Sequence, residues 1–239
     1  MENFRIRCSQ IGKIMGRIGL TDKQIEEMET LSKKPNRTKI QEAKLHDLIH
    51  RFNNPELPDT CKTYLHEWYA NDKEQIHSKY MDKGIEVESD LINFMADVLG
   101  FGLAEKNTIR LLEDWIEGEC DVNLPSCIVD VKASWNKTTL HKQVVEGIDK
   151  DYEWQLKGYC YLYKKPKGIL FFGLMNTPET EYSNEVVFED LPPNERWVAY
   201  EVIPNEADFE AIYDRVIMCR QYLTEYDKLI KSKLGTIKY

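Results

Sequence analysis

Residues 117–132 read Glu-Gly-Glu-Cys-Asp-Val-Asn-Leu-Pro-Ser-Cys-Ile-Val-Asp-Val-Lys, and this stretch restricts the folds open to the chain more than any other. The pattern predicts two short strands joined by a Leu-Pro-Ser turn. Such a hairpin brings Asp121 and Asp130 close together, with Lys132 two residues after the second acid. Side chains of a strand alternate between faces, so Ile128, Asp130 and Lys132 share one face and Val129, Val131 and Ala133 the other. Asp is disfavoured inside strands, yet Asp130 interrupts an otherwise strong β sequence. A charge on a covered strand face is costly without a partner. Carboxylate oxygens from neighbouring segments suit a hard divalent cation such as Mg²⁺, which fills the rest of its shell with water and substrate phosphate.

The chain has 239 residues, enough for one large domain or two small ones, and 42% hydrophobic residues can bury a substantial core. The net charge of −9 argues against a protein that coats nucleic acid generally. The charge is uneven, however. Residues 1–51 carry 11 Lys/Arg against 7 Asp/Glu, and residues 132–170 carry 8 against 4, each a net of +4. Between them, residues 52–131 carry 6 against 17, a net of −11. Acids to hold a metal flanked by bases to hold a phosphate backbone is the mixture a phosphate-binding enzyme needs.

The six cysteines form no C-x-x-C pair, so neither zinc nor an iron–sulfur cluster is expected. Cys120 and Cys127 can approach across the hairpin, but with no secretory signal the expectation is reduced thiols in the cytoplasm. No apolar run approaches the length of a membrane span. His46 and His50 stand four apart, but no Glu follows His46, which excludes the metalloprotease pattern. No glycine-rich phosphate loop and no G-x-S-x-G is present.

Periodicity places a short helix after Ser9 and polar helices over 21–51, the second segment capped at Thr21 or Asp22. A further helix is expected over 60–82, and no strand in this first third. The clearest helix spans 84–99. Val87, Leu91, Phe94 and Val98 form one apolar row, and Ile92, Met95 and Leu99 the next, with Gly100 and Gly102 ending it. Strands follow at 107–112, 115–123 and 127–134, a helix at 152–163, strands at 168–175 and 197–203, and a last helix from Asn205 or Asp208 to about 232. That order predicts an α/β fold, a mixed sheet flanked by helices. The division expected is a single domain over 1–239, with a helical elaboration over 1–82, a core over 83–175, and a loop, edge strand and C-terminal helix over 176–239.

On the 84–99 helix, Glu86, Asp90, Asn93 and Asp97 form a polar row that faces water. Glu88 instead lies in line with Ile92, Met95 and Leu99, an acid on a buried stripe. In the 152–163 helix, Glu153, Lys157 and Lys164 mark a polar side, and Gln155 and Tyr159 fall roughly opposite. An inward Gln can hold a water or a phosphate oxygen. Tyr152, Trp154, Tyr161 and Tyr163 read as core.

Four elements in order, Gly84-x-x-x-Glu88, Gly118-x-x-Asp121, Asp130-Val131-Lys132 and Gln155-x-x-x-Tyr159, resemble the motifs of the PD-(D/E)XK nuclease superfamily. The Gln-x-x-x-Tyr element is similar to that of its lambda-type and YqaJ-like phage recombination exonucleases. The opening Arg7-Cys8-Ser9-Gln10-Ile11-Gly12-Lys13-Ile14-Met15-Gly16 resembles the N-terminal segment of YqaJ-like proteins. Residues 20–80 and 176–239 lie outside the resemblance. It implies a restriction-endonuclease-like core and a Mg²⁺- or Mn²⁺-dependent exonuclease acting on linear duplex DNA, in the host cytoplasm if phage-encoded. It further implies Asp121, Asp130, Glu88 and the Val131 carbonyl as metal ligands, Lys132 as activator of the nucleophile, and Gln155 as the group that positions water or phosphate. Lys13, Arg17, Lys137, Lys142 and Tyr159 are the candidates for DNA contact. A trimeric homo-oligomer and a single-strand annealing partner also follow from the resemblance. The chain departs from it in having Asp130 where lambda-type enzymes usually have Glu, and Cys120 where Pro usually precedes the first Asp. An endonuclease of the same fold and a non-catalytic DNA-binding protein on it are the alternatives.

Overall fold

The computed structural model describes residues 3–71, 79–176, 179 and 185–235. Their contacts gather into two units, residues 13–71 with 217–235, and residues 3–12 with the described residues of 79–216. The last stretch of the chain thus groups with the N-terminal helices, whereas the sequence places it after the core as a separate segment. Among the described residues no helix is long and apolar enough to cross a membrane.

The first unit is helical: α2 (Asp22–Lys33), α3 (Lys39–Asn53), α4 (Asp59–Ala70) and the end of α8 (Glu206–Lys233), preceded by the short α1 (Ile11–Ile14). The polar stretch 21–51 makes two helices because Pro35 interrupts it; Arg37 closes the break by donating to the carbonyls of Leu31 at 2.9 Å and Lys34 at 2.8 Å. Both helices open on reciprocal capping boxes, Thr21 with Gln24 and Thr38 with Gln41, which satisfy the exposed first-turn amides. Leu20, Leu31, Leu45 and Leu48 form the apolar seam beneath them. α4 meets α8 through polar aromatics: the Tyr69 hydroxyl donates to Asp227 at 2.8 Å, and the His66 ring stacks on Tyr226 with centroids 4.2 Å apart. The expected helix over 60–82 ends at Ala70, and residues 72–78 lie outside those described.

The second unit is built on a four-stranded sheet in the order β4 (Val122–Asn123), β5 (Ile128–Ser134), β6 (Gly168–Leu174), β7 (Trp197–Val202). β4 and β5 form the expected antiparallel hairpin, with Val122 opposite Val129. β5 and β6 run parallel and β7 returns antiparallel, which makes the sheet mixed. Between β5 and β6 the chain crosses over through α6 (Lys137–Glu146) and α7 (Lys150–Tyr163). A second sheet of three strands has β1 (Ile6–Arg7) parallel to β3 (Ile116–Gly118), with β2 (Leu111–Leu112) on its far side. β1 corrects the expectation of no strand in the first third. Two residues carry no readable alternation, and only pairing with β3 makes them a strand.

α5 (Lys79–Leu99) lies on one face of the main sheet. Val87, Leu91, Ile92 and Met95 pack with Val129, Val131, Ile169 and Phe171 in one core. The row of Glu86, Asp90, Asn93 and Asp97 is exposed, as its polarity requires. The contact is close enough that a Cβ on Gly173 would stand 2.2 Å from Leu91 Cδ1, so any larger residue there would force the leucine to shift. Burying a leucine like Leu91 (1% exposed) contributes about 1.5–3 kcal/mol. α7 covers the other face. Leu156 reaches the backbone at Gly168, beside Ile128. β6 is therefore buried along its whole length, which is why it reads as an unbroken apolar run instead of alternating.

Candidate active site

Because both faces of β5 are covered, Asp130 cannot reach water. It is 1% exposed and faces α7, where Gln155 Nε2 donates to its Oδ1 at 2.9 Å. Lys132 Nζ lies 2.6 Å from Asp130 Oδ2. That approach is an ion pair by distance without the alignment of a hydrogen bond, and Oδ2 is a buried oxygen with no hydrogen-bond donor. Across the hairpin, Asp121 Oδ2 accepts from the Val131 amide at 2.7 Å. This bond joins the two strands just beyond the β4 pairing and fixes Asp121 against β5.

Burial, and secondly the charge of Asp130, push the Asp121 carboxyl up to about 7. Burial opposes the charge on Lys132, but Asp130 and Asp121 outweigh it and hold the ammonium above the usual lysine range. Lys132 also sits 5.7 Å from the centre of the Tyr152 ring. Two acids thus share one lysine in surroundings where each charge depends on the others.

Asp121, Val131, Lys132 and Glu88 line a single cleft of about 510 Å³. Glu88, with 23% of its side chain exposed, is paired there with Lys106. The expectation of three converging acids is therefore met only in part. Two acids gather round Lys132, while Glu88 stays on the α5 wall with its own lysine. Among the described residues, no three His, Cys, Asp or Glu side chains are grouped as a ready metal cage. The donor set nevertheless fits a divalent ion. Asp130 Oδ2 is buried and lacks an aligned donor, and one oxygen of the neighbouring Asp121 is held by the Val131 amide, which leaves its other oxygen for an ion. All the groups are hard oxygens, as Mg²⁺ or Mn²⁺ requires.

The other expected contacts separate. Gln155 is buried (6% exposed) directly behind Asp130. Tyr159 is 5% exposed, and its hydroxyl lies 3.5 Å from the Gln155 amide nitrogen. It backs the acids from inside the fold, which corrects its reading as a DNA contact, since no strand of DNA reaches a side chain so enclosed. Lys137 and Lys142 are exposed on α6, with Lys142 near Glu146 at 3.7 Å. Lys13 and Arg17 belong to the helical unit. Arg17 donates to Asp22 at 2.7 Å and to the Leu20 carbonyl at 3.0 Å, which leaves few of its donors for a phosphate.

Several cleft residues escaped the sequence reading. Trp135, Thr139 and Gln143 line it from the β5–α6 corner, although α6 was not expected at all. Its signal was present: Asn136 accepts from the Thr139 amide and Thr139 Oγ1 accepts from the Asn136 amide, a capping box, followed by Leu140 as the buried anchor. Tyr152 faces the cleft, not the core. Lys83 is 2% exposed and also lines the cleft, and burial pushes it down to about 8. Extending the row Val87–Leu91–Phe94–Val98 one turn upstream reaches Lys83; reading the helix from residue 84 hid it.

No protein-family model matches the chain, and no curated protein matches it in sequence. Solved structures do match. The fold is similar to that of a phage-related exonuclease from Haemophilus somnus 129PT, with 23% identity and a TM-score of 0.68 over 96% of each chain. It is also similar to an alkaline exonuclease, LHK-Exo, from Laribacter hongkongensis, with 13% identity and a TM-score of 0.61 over 98% of this chain and 96% of that one. LHK-Exo in complex with dAMP gives a TM-score of 0.60 at 13% identity, over 97% of this chain and 95% of that one. At these identities the likeness shows the fold. It reaches well beyond residues 84–159, the segment that carries the motifs.

Proposed function

We propose that this chain is a divalent-metal-dependent deoxyribonuclease that hydrolyses phosphodiester bonds from the ends of linear duplex DNA. The observation that carries the reading is the meeting of Asp121, Asp130, Lys132 and Gln155, from a hairpin and a crossover helix, beside a cleft that Asp121, Lys132 and Glu88 line. The fold it shares with two exonucleases, one solved with dAMP, supports DNA as the substrate and strand ends as the point of attack.

Each residue has a role that follows from its surroundings. Asp130 and Asp121 supply the negative oxygens against which Mg²⁺ or Mn²⁺ would sit, and Glu88 supplies a further oxygen from α5. When bound, such an ion lowers the pKa of the attacking water and compensates charge on the phosphoryl oxygens. Gln155, itself buried, holds Asp130 in one orientation through its amide. Lys132 is paired with Asp130, feels the charge of Asp121 and opens on the cleft, where its ammonium can orient the water and balance developing charge. The aromatic walls, Trp135 and Tyr152, offer surfaces on which a base can stack.

The test is purified protein on end-labelled linear duplex and on a covalently closed circle, with Mg²⁺ and with a chelator. Release of mononucleotides from the linear duplex only, and only with Mg²⁺, is the expected result. Cutting of the closed circle would move the assignment to an endonuclease, and no cleavage of either DNA with Mg²⁺ or Mn²⁺ would overturn it.

A further inference from the structure

Lys83 has no place among the acids, yet the structure uses it at the same cleft. Its ammonium donates to the Ser134 carbonyl at 2.8 Å and to the Trp135 carbonyl at 3.1 Å. It lies 5.6 Å from the centre of the Trp135 ring and 5.5 Å from that of Phe188. Ser134 is the last residue of β5, Trp135 follows it, and Asn136 caps α6. Lys83 therefore ties the beginning of α5 to the corner at which β5 turns into α6. One wall of the cleft, with Gly84, Ile85 and Glu88, belongs to α5; another, with Trp135, Thr139 and Gln143, belongs to that corner.

A buried lysine costs free energy, since desolvation disfavours its charge. A surface lysine would solubilise the helix without that cost, so its burial at this point calls for a structural return. Two carbonyls at a strand end are that return. They stand where the strand gives way to the corner, and one cation from a different element donates to both. The result is a strut between the element that carries Glu88 and the strand that carries Asp130 and Lys132.

We propose that Lys83 is a positioning residue. By bridging α5 to the end of β5 it sets the spacing between Glu88 and the Asp121–Asp130–Lys132 group, and so the affinity of the site for a divalent ion. This inference rests on the metal-dependent reading above.

The experiment measures Mn²⁺ binding to the whole chain by calorimetry, without DNA, for the wild type, Lys83→Met, Glu88→Gln and the double variant. Lys83→Met keeps an unbranched side chain and removes the donors. It is expected to weaken Mn²⁺ at least tenfold in the wild-type background and less than twofold in the Glu88→Gln background, because the strut acts through Glu88. An unchanged affinity in Lys83→Met, or an equal loss in both backgrounds, would overturn the proposal, the latter marking general loosening. If circular dichroism shows Lys83→Met unfolded, Lys83→Gln carries the same cycle with the same two outcomes at a threefold threshold. A wild type that binds no Mn²⁺ at all would overturn the metal-dependent function itself, a separate failure from equal binding by wild type and variant.

Discussion

Asp130→Asn and Lys132→Met are each expected to lower the proposed Mg²⁺-dependent DNA hydrolysis by on the order of 10³-fold or more, the scale of losing a preorganised charge from a water-poor site. The two variants fail for different reasons. In Asp130→Asn the side-chain oxygen can still accept from Gln155, so the packing survives. Its other arm then becomes an amide donor facing the Lys132 ammonium, where an anion stood. The site keeps its shape and loses an oxygen ligand. In Lys132→Met the acids remain and their cation goes. Asp130 loses the cation it is paired with and Asp121 the charge that favours its ionised form, and removing one partner of a buried pair costs roughly 3–5 kcal/mol. Part of that cost is relieved when one acid takes up a proton. Lys132→Met is accordingly the less stable variant without metal and gains more in melting temperature from Mg²⁺ than the wild type does. Melts followed by circular dichroism with and without Mg²⁺ separate this effect from lost catalysis. Full hydrolytic activity in either variant would remove the assigned roles.

Without metal, the protein is expected to lose stability as pH rises from about 4 to about 7, and Asp121→Asn to remove much of that loss. The sign follows from the shift. Asp121 is raised from 3.8 to about 7 in the folded protein, first by burial and then by Asp130. The folded state holds a proton there that the unfolded chain releases earlier. The stability this provides is complete below the unfolded value and is lost as pH climbs through the folded one. A shift of that size corresponds to about 4 kcal/mol at most. Asp121 keeps some access to the cleft, so screening reduces the expected effect to on the order of 2 kcal/mol. The asparagine carbonyl can still accept from the Val131 amide, so the hairpin link is kept. Denaturant melts at pH 4.5, 6 and 8, in chelator, give the difference between wild type and variant. That difference should grow in the variant's favour by about 2 kcal/mol across the series, or roughly 4–8 °C in melting temperature for a chain of this size. A difference that stays flat would show that Asp121 is ionised throughout.

Those two results depend on a hairpin that is visible in the sequence, and the reason is physical. An Asp inside Ile-Val-Asp-Val-Lys breaks a strong local preference, and period-two alternation fixes what shares its face. The Glu88 stripe was legible for a similar reason, since an acid stands on an apolar row of a long helix. What stayed hidden depends on contacts between distant segments. β1 exists only by pairing with β3. Tyr159 falls on the inward side of its helix by periodicity, and its depth becomes plain only when α7 is packed against the sheet. Lys106 has no sequence feature that links it to Glu88, eighteen residues away. Lys83 stays hidden when the helix is read from residue 84, whereas α5 begins at Lys79 and carries Lys83 on the extension of its apolar row. The grouping of residues 217–235 with the N-terminal helices likewise follows from aromatic contacts such as Tyr69 with Asp227, which no local pattern announces.

Anomalous diffraction from crystals of the protein soaked in Mn²⁺ tests the central claim most directly. The ion is expected within about 2–2.6 Å of oxygens from both Asp121 and Asp130, with the peak weakened by competing Mg²⁺ and absent in Asp130→Asn. A map in which Mn²⁺ binds elsewhere, or not at all, while Lys132 stays on Asp130, would contradict it.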